Sequence, residues 1–190
     1  MKLPSLFFAL CMIITSQQLA GMETGGVTIP ETISLHDNDH VLVLNGAGIR
    51  KKFFMDIYAG ALYLPAKKTD ATAIISDDGP AAVDMHIIHS NISKEKITGG
   101  WEDGLKANLD QDRLDALRPR LDRFNALFSE VREGDIIRIA YLPASGTEVR
   151  INNEQRGTIE GNDFFRALLE IWLGSSPVSK SLKAEMLGLD

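Results

Sequence analysis

Residues 44–65 read LNGAGIRKKFFMDIYAGALYLP, and the fold is decided there. Asn45-Gly46-Ala47-Gly48 is expected to end a short apolar strand at Val41 to Leu44, because glycines permit backbone angles that other residues avoid. From Ile49 to Leu64, β-branched and aromatic residues come in runs that suit two strands or one long bent one.

Residues 21–28 are small and polar and read as a flexible lead. Ile29, Ile33 and Leu35 surround Pro30, and HDNDH at 36–40 reads as a turn. On the C-terminal side, Thr69 to Ser76 suits a short helix and Val83 to Ile88 a strand. Ser93 is a good N-cap, with Glu95 in the first turn, for a helix to about Asn108. Leu114, Leu117, Leu121, Phe124, Leu127 and Phe128 recur at amphipathic helical spacing, and Pro119 is expected to start or kink that helix. Asp135 to Leu142, Glu148 to Ile151 and Arg156 to Ile159 form an antiparallel meander across turns at Ser145-Gly146 and Asn152-Asn153. Asn162 caps a helix through Leu173, and Pro177 opens a last one to about Met186. Without repeats or a linker, this order predicts one α+β domain: an antiparallel sheet with helices packed on one face.

Composition narrows the partners. The chain of 190 residues carries 26 acidic and 20 basic side chains, a net charge of −6. That balance argues against nucleic acid, whose phosphates demand basic surface, and it offers no polybasic patch for anionic lipid. Lys2 followed by the apolar run Leu6 to Ile14 and small residues at Ala20 and Gly21 predicts a signal peptide over residues 1–20 and a domain over 21–190. The run is too short to span a bilayer, which requires about 20 residues, and no integral membrane segment is expected in the mature chain. Export follows, into the periplasm if the source is Gram-negative. Cys11, the only cysteine, lies inside that run, so the mature protein would have neither disulfide nor thiolate chemistry.

Four segments carry a family resemblance: 44–65, with Gly-Ala-Gly-x-Arg and then Leu62-Tyr63-Leu64; ISKEKITGGWEDGLKAN at 92–108; REGDIIRIAYLPASGTEVRINN at 132–153; and FFRALLEIWLGSSPVSKSLKAEMLG at 164–188. In register they cover nearly the whole mature chain, which resembles the chalcone isomerase family and most of all its bacterial branch. The resemblance implies an open-faced antiparallel β-sandwich with a layer of helices over a ligand cleft. It places Arg50 on the arginine that stabilises the oxyanion in the plant isomerases and holds a carboxylate in the plastid fatty-acid-binding members. Tyr58 matches the tyrosine of those binding members, where the isomerases carry threonine. Other isomerase positions depart: Ser93 replaces a tyrosine, Gly100 an asparagine, and Ile171 and Trp172 the flavanone-contacting pair. The resemblance therefore implies a non-catalytic binder of a fatty acid or similar hydrophobic carboxylate. The alternative is an isomerase acting on a chalcone-like enone, with Arg50 as its one catalytic candidate.

Arg50 can be argued from chemistry alone. A guanidinium stays charged and presents a fork that pairs with a carboxylate through two parallel hydrogen bonds. Tyr58 adds a donor to the same oxygens. Equally, Arg50 can pair with a structural acid such as Asp56 while Tyr58 only packs. Trp172, Trp101, Phe164 and Phe165 are candidates for an apolar wall, with plain core as the other reading. Arg50, Tyr58 and Trp172 are the candidate ligand-binding residues. Lys51 and Lys52 read as a solvated edge or as positive potential at a cleft mouth. His36 and His40 flank acids in a turn, and His86 and His89 are three apart in a strand, so neither pair has metal-ligand geometry. No metal or cofactor is expected. A third reading is a scaffold whose partner docks on the amphipathic helix over 112–128.

Overall fold

The computed structural model describes residues 21–35 and 40–189. The signal-peptide segment 1–20, with Cys11, and most of the turn over 36–40, with His36, lie outside them. The centre is a seven-stranded antiparallel sheet. Its strands are β3 (Thr32–Leu35), β4 (His40–Lys52), β5 (Met55–Leu64), β6 (Ala81–Ile87), β9 (Ile136–Leu142), β10 (Gly146–Ile151) and β11 (Glu154–Ile159). Their spatial order is β11-β10-β9-β6-β5-β4-β3, so the predicted meander forms one edge. Between them run α1 (Ala71–Ile75), the short pair β7 (Asn91–Ile92) and β8 (Val131–Arg132), and the helices α2 (Lys94–Asn108) and α3 (Gln111–Ala126). Helices α4 (Asn162–Leu173) and α5 (Lys180–Met186) close the chain.

Alternation along the strands sends Tyr58, Leu62, Val83, Met85, Ile87, Ile137, Ile139 and Val149 to the face that the helices cover, forming the main core. Among the described residues, β1 (Gly21–Thr24) and β2 (Val27–Pro30) pack on the opposite face, with Ile29 buried against Ala47, Ala59 and Leu42. That hairpin replaces the expected flexible lead. Gly25 and Gly26 both take positive φ, +60° and +78°, the requirement of a tight type I′ turn. On this second face Asp84, almost fully buried, accepts two hydrogen bonds of 2.7 Å from Arg138, and burial holds the His86 pKa below its usual value.

The glycine run also differs from expectation. Asn45 to Gly48 does not end a strand, because β4 continues through it to Lys52. Asn45 is bulged between the pairs Leu44–Tyr63 and Gly46–Leu62. Its side chain accepts from Lys68 N at 2.7 Å and donates to the Lys68 and Met186 carbonyls at 2.9 and 2.8 Å. The glycines are there because α5 lies directly on them.

Pro119 lies inside α3 and neither starts nor ends it. Proline there removes one backbone hydrogen bond, and anchors on both sides hold the helix. Leu114, Leu117, Leu121 and Phe124 are buried, and Arg118 forks onto Glu102 of α2 at 2.6 and 3.0 Å. The apolar face of α3 is thus occupied by the protein's own core and is not open to a docking partner. Asn162 is the first residue of α4, with Gly161 in the capping position, and α5 begins at Lys180 under a Ser179 cap.

Helix α2 carries three glycines in different surroundings. A Cβ added at Gly99 or Gly100 meets nothing within 4 Å, whereas one at Gly104 would lie 2.8 Å from Ile171 Cγ2 of α4. Gly99→Ala is therefore expected to stabilise the fold by about 1 kcal/mol through helix propensity. Gly104→Ala should gain the same propensity and lose more, by roughly 2 kcal/mol, because α2 must move off α4. Thermal unfolding of the two variants, with melting temperatures moving in opposite directions, checks this.

Candidate functional site

Arg50 and Tyr58 face each other directly across β4 and β5. Both side chains belong to the helix-covered face, by the same alternation that buries Leu62 and Met85. Immediately beyond them the register shifts, from Arg50–Tyr58 to Lys51–Asp56, leaving Ile57 as the extra residue of a bulge. The Ile57 carbonyl accepts from the backbone N–H groups of Ile88 and His89, each at 3.0 Å. The bulge thereby fixes the segment that brings His89 to the site.

These residues line one cavity of about 460 Å³, within the range of small-molecule sites. Its floor is sheet, with Tyr58, Met85, Ile87 and Ile137. Ile97, Gly99, Gly100 and Trp101 of α2 form a wall with Ile171 and Val178. Arg50, Lys52, Phe53, His89, Glu95, Lys96 and Asp103 surround the opening. The glycines that leave α2 without side chains at 99 and 100 leave room on the cavity side.

The opening carries the cations Arg50, Lys52 and Lys96 together with the acids Glu95 and Asp103. Asp56 pairs with Lys51 at 3.2 Å, and among the described residues no carboxylate pairs with Arg50. Among the described residues, the half-buried Arg50 guanidinium donates only to the neighbouring Lys51 carbonyl. Tyr58 is buried, and that burial pushes its pKa up to about 12, against the smaller opposing pulls of the Trp172 hydrogen bond and the Arg50 charge. It therefore keeps its proton throughout the physiological range. Trp172 Nε1–H donates to the Tyr58 hydroxyl at 2.9 Å, so the Tyr58 proton remains available to another acceptor.

Trp172 sits behind Tyr58 and not on the cavity surface. It packs edge-on to Trp101 with ring centroids 5.9 Å apart. Trp101 does line the cavity, and among the described residues its indole N–H has no hydrogen-bond partner. Phe164 and Phe165 are core residues, the first edge-on to Phe124 and the second stacked on Tyr141. Ser93 caps α2 through Lys96 N at 3.4 Å, and Gly100 offers no functional group to the wall. His86 points to the other sheet face while His89 is at the rim, and His40 begins β4, so these histidines do not converge.

Reading the sequence alone missed the aliphatic lining at Met85, Ile87, Ile97, Ile137 and Val178. For Met85, Ile87 and Ile137 the signal was alternation in β6 and β9, which marks core and cavity alike. Lys96 and His89 at the rim had no signal, since only the chain path brings them opposite Arg50.

Over residues 21–188 the chain matches the chalcone isomerase-like family. Among solved structures, an Arabidopsis thaliana fatty-acid binding protein superposes with a TM-score of 0.63 at 17% identity, covering 85% of this chain and 92% of that one. The two share a fold. No curated protein matches the chain. The sheet, its helical layer and the family match across the described domain lead to one assignment: the chain belongs to the chalcone isomerase-like family.

Proposed function

We propose that this protein is a non-catalytic binder of a fatty acid or a similar hydrophobic carboxylate. One observation carries the reading: an arginine without an acidic partner among the described residues and a protonated tyrosine lie opposite each other at an apolar cavity. Arg50 and Tyr58 supply charge-assisted hydrogen bonds to the two carboxylate oxygens. Met85, Ile87, Ile97 and Trp101 enclose the chain of the ligand, and Trp172 holds the Tyr58 hydroxyl in place. The fatty-acid binding activity named for the Arabidopsis neighbour supports the same ligand class. The apolar run Leu6 to Ile14 supports export, with residues 1–20 removed as a signal peptide and the mature domain acting in a periplasm.

Titrating delipidated protein with a saturated fatty acid and with the matching fatty alcohol, read through intrinsic tryptophan fluorescence, tests the assignment. The acid is expected to bind at least tenfold more tightly, since the alcohol cannot accept the Arg50 fork. Equal affinities, or no binding of either, would defeat the reading.

A further inference from the structure

The β4–β5 hairpin ends in Phe53-Phe54, and neither ring is covered. Phe53 is 84% exposed and Phe54 fully so, with Met55 beside them 48% exposed. Single exposed apolar residues are ordinary on a protein surface, but a contiguous set at a hairpin tip is not. Phe53 also stands at φ +56°, a left-handed conformation that a bulky side chain avoids. Asparagine or glycine would fit that turn better and would spare the ring its exposure. A residue that breaks two local preferences at once points to a function.

Behind the tip stand Arg50, Lys51 and Lys52; Asp56 pairs with Lys51 alone, and Glu95 and Asp103 belong to the α2 side of the cavity opening. The acidic total of the chain conceals this cluster, which is why composition alone showed no basic patch for lipid. The tip is continuous with the cavity, because Arg50, Lys52, Phe53 and Met55 all line its opening.

We propose that this tip docks on an anionic lipid surface, with Phe53 and Phe54 entering the boundary between headgroups and acyl chains, Lys52 paired with lipid phosphate, and Lys51 exchanging its exposed pair with Asp56 for another. Aromatic side chains backed by cations suit that boundary. With a net charge of −6 the rest of the protein is repelled by such a surface, so the tip leads. A second copy meeting tip to tip would place Lys51 and Lys52 against the same lysines, whereas lipid phosphate neutralises them. Docking stands independently of what the cavity holds. Its use, passing a fatty acid between bilayer and cavity without crossing water, rests on the carboxylate reading above.

Flotation with phosphatidylcholine vesicles, with and without an equimolar share of phosphatidylglycerol, tests the proposal. Wild type and variants carry the same N-terminus, so differences report on the tip. Wild-type protein is expected to float with the phosphatidylglycerol vesicles, less with phosphatidylcholine alone, and less as salt shortens the Debye length below about 8 Å. Phe54→Ser should weaken association about tenfold, and Phe53→Asn with Phe54→Ser further still. Because Phe54 does not line the cavity, Phe54→Ser should leave fatty-acid affinity in solution unchanged. Wild-type protein that ignores anionic vesicles, or equal flotation of Phe54→Ser, would overturn docking. So would a dimer abolished by Phe54→Ser in a protein that binds no vesicle. If the tip docks while the acid and alcohol bind alike, docking survives and the carboxylate reading falls.

Discussion

Gly46→Val is expected to unseat α5 and to destabilise the protein by about 3 kcal/mol, a fall of roughly 10 °C in melting temperature. A Cβ at position 46 would lie 2.1 Å from the Glu185 carbonyl oxygen and 3.0 Å from the Met186 carbonyl carbon. Both are backbone atoms, so no rotamer change relieves the clash. The helix cannot retreat without loss. Asn45 donates to the Met186 carbonyl at 2.8 Å, Glu185 accepts from the Ile49 N–H at 3.1 Å, and Leu182 and Met186 are fully buried beneath the helix. Valine suits a strand better than glycine by up to about 1 kcal/mol, and that gain is smaller than the steric cost. Denaturant unfolding gives the measurement. A variant as stable as wild type would show that α5 is not held on this strand as described.

Arg50→Ala is expected to weaken fatty-acid binding roughly 100-fold, about 3 kcal/mol, and to leave affinity for the matching alcohol nearly unchanged. The arginine is half-buried, contributes no ion pair among the described residues, and donates only to its neighbour's carbonyl, so its removal should change stability little. Arg50→Lys should recover part of the loss, because an ammonium retains the charge but not the planar fork. Tyr58→Phe is a less clean probe. It removes one donor to the ligand and also leaves the buried Trp172 N–H without its acceptor, which costs stability by about 1–3 kcal/mol. Calorimetric titration of the arginine variants with acid and alcohol separates head-group recognition from burial of the tail.

The helices and the C-terminal meander were legible in the sequence because local signals specify them. Ser93 and Glu95 mark the start of α2, and the spacing from Leu114 to Phe124 marks the buried face of α3. Two misreadings share a cause. Gly46 and Gly48 read as strand breakers and Pro119 as a candidate helix start by local propensity, yet β4 and α3 both run through them, held by contacts from distant residues. Glu185 and Met186 fill the space above the glycines, and Arg118 and Arg120 tie α3 to Glu102 and Asp163. The Gly25-Gly26 turn was readable in principle, but its short polar strands carry too little alternation to stand out.

The candidate site divides in the same way. Arg50 and Tyr58 were visible because their chemistry and spacing match a known pattern, and the hairpin sets them side by side. Trp172 was expected at the wall, and its place behind Tyr58 depends on how α4 packs over the sheet. The exposure of Phe53 and Phe54 went unread, although two strands over Ile49 to Leu64 imply a turn between Arg50 and Tyr58. Two aromatics in a run of strand-forming residues look like core until the hairpin end is known to fall between Lys52 and Met55.

The most direct measurement is a crystal structure of the protein grown with a saturated long-chain fatty acid. The carboxylate is expected within hydrogen-bond distance of the Arg50 guanidinium and the Tyr58 hydroxyl, and the acyl chain against Ile87, Ile97 and Trp101. A carboxylate turned outward to Lys96, or a cavity without fatty acid while the ligand sits elsewhere, would contradict that placement.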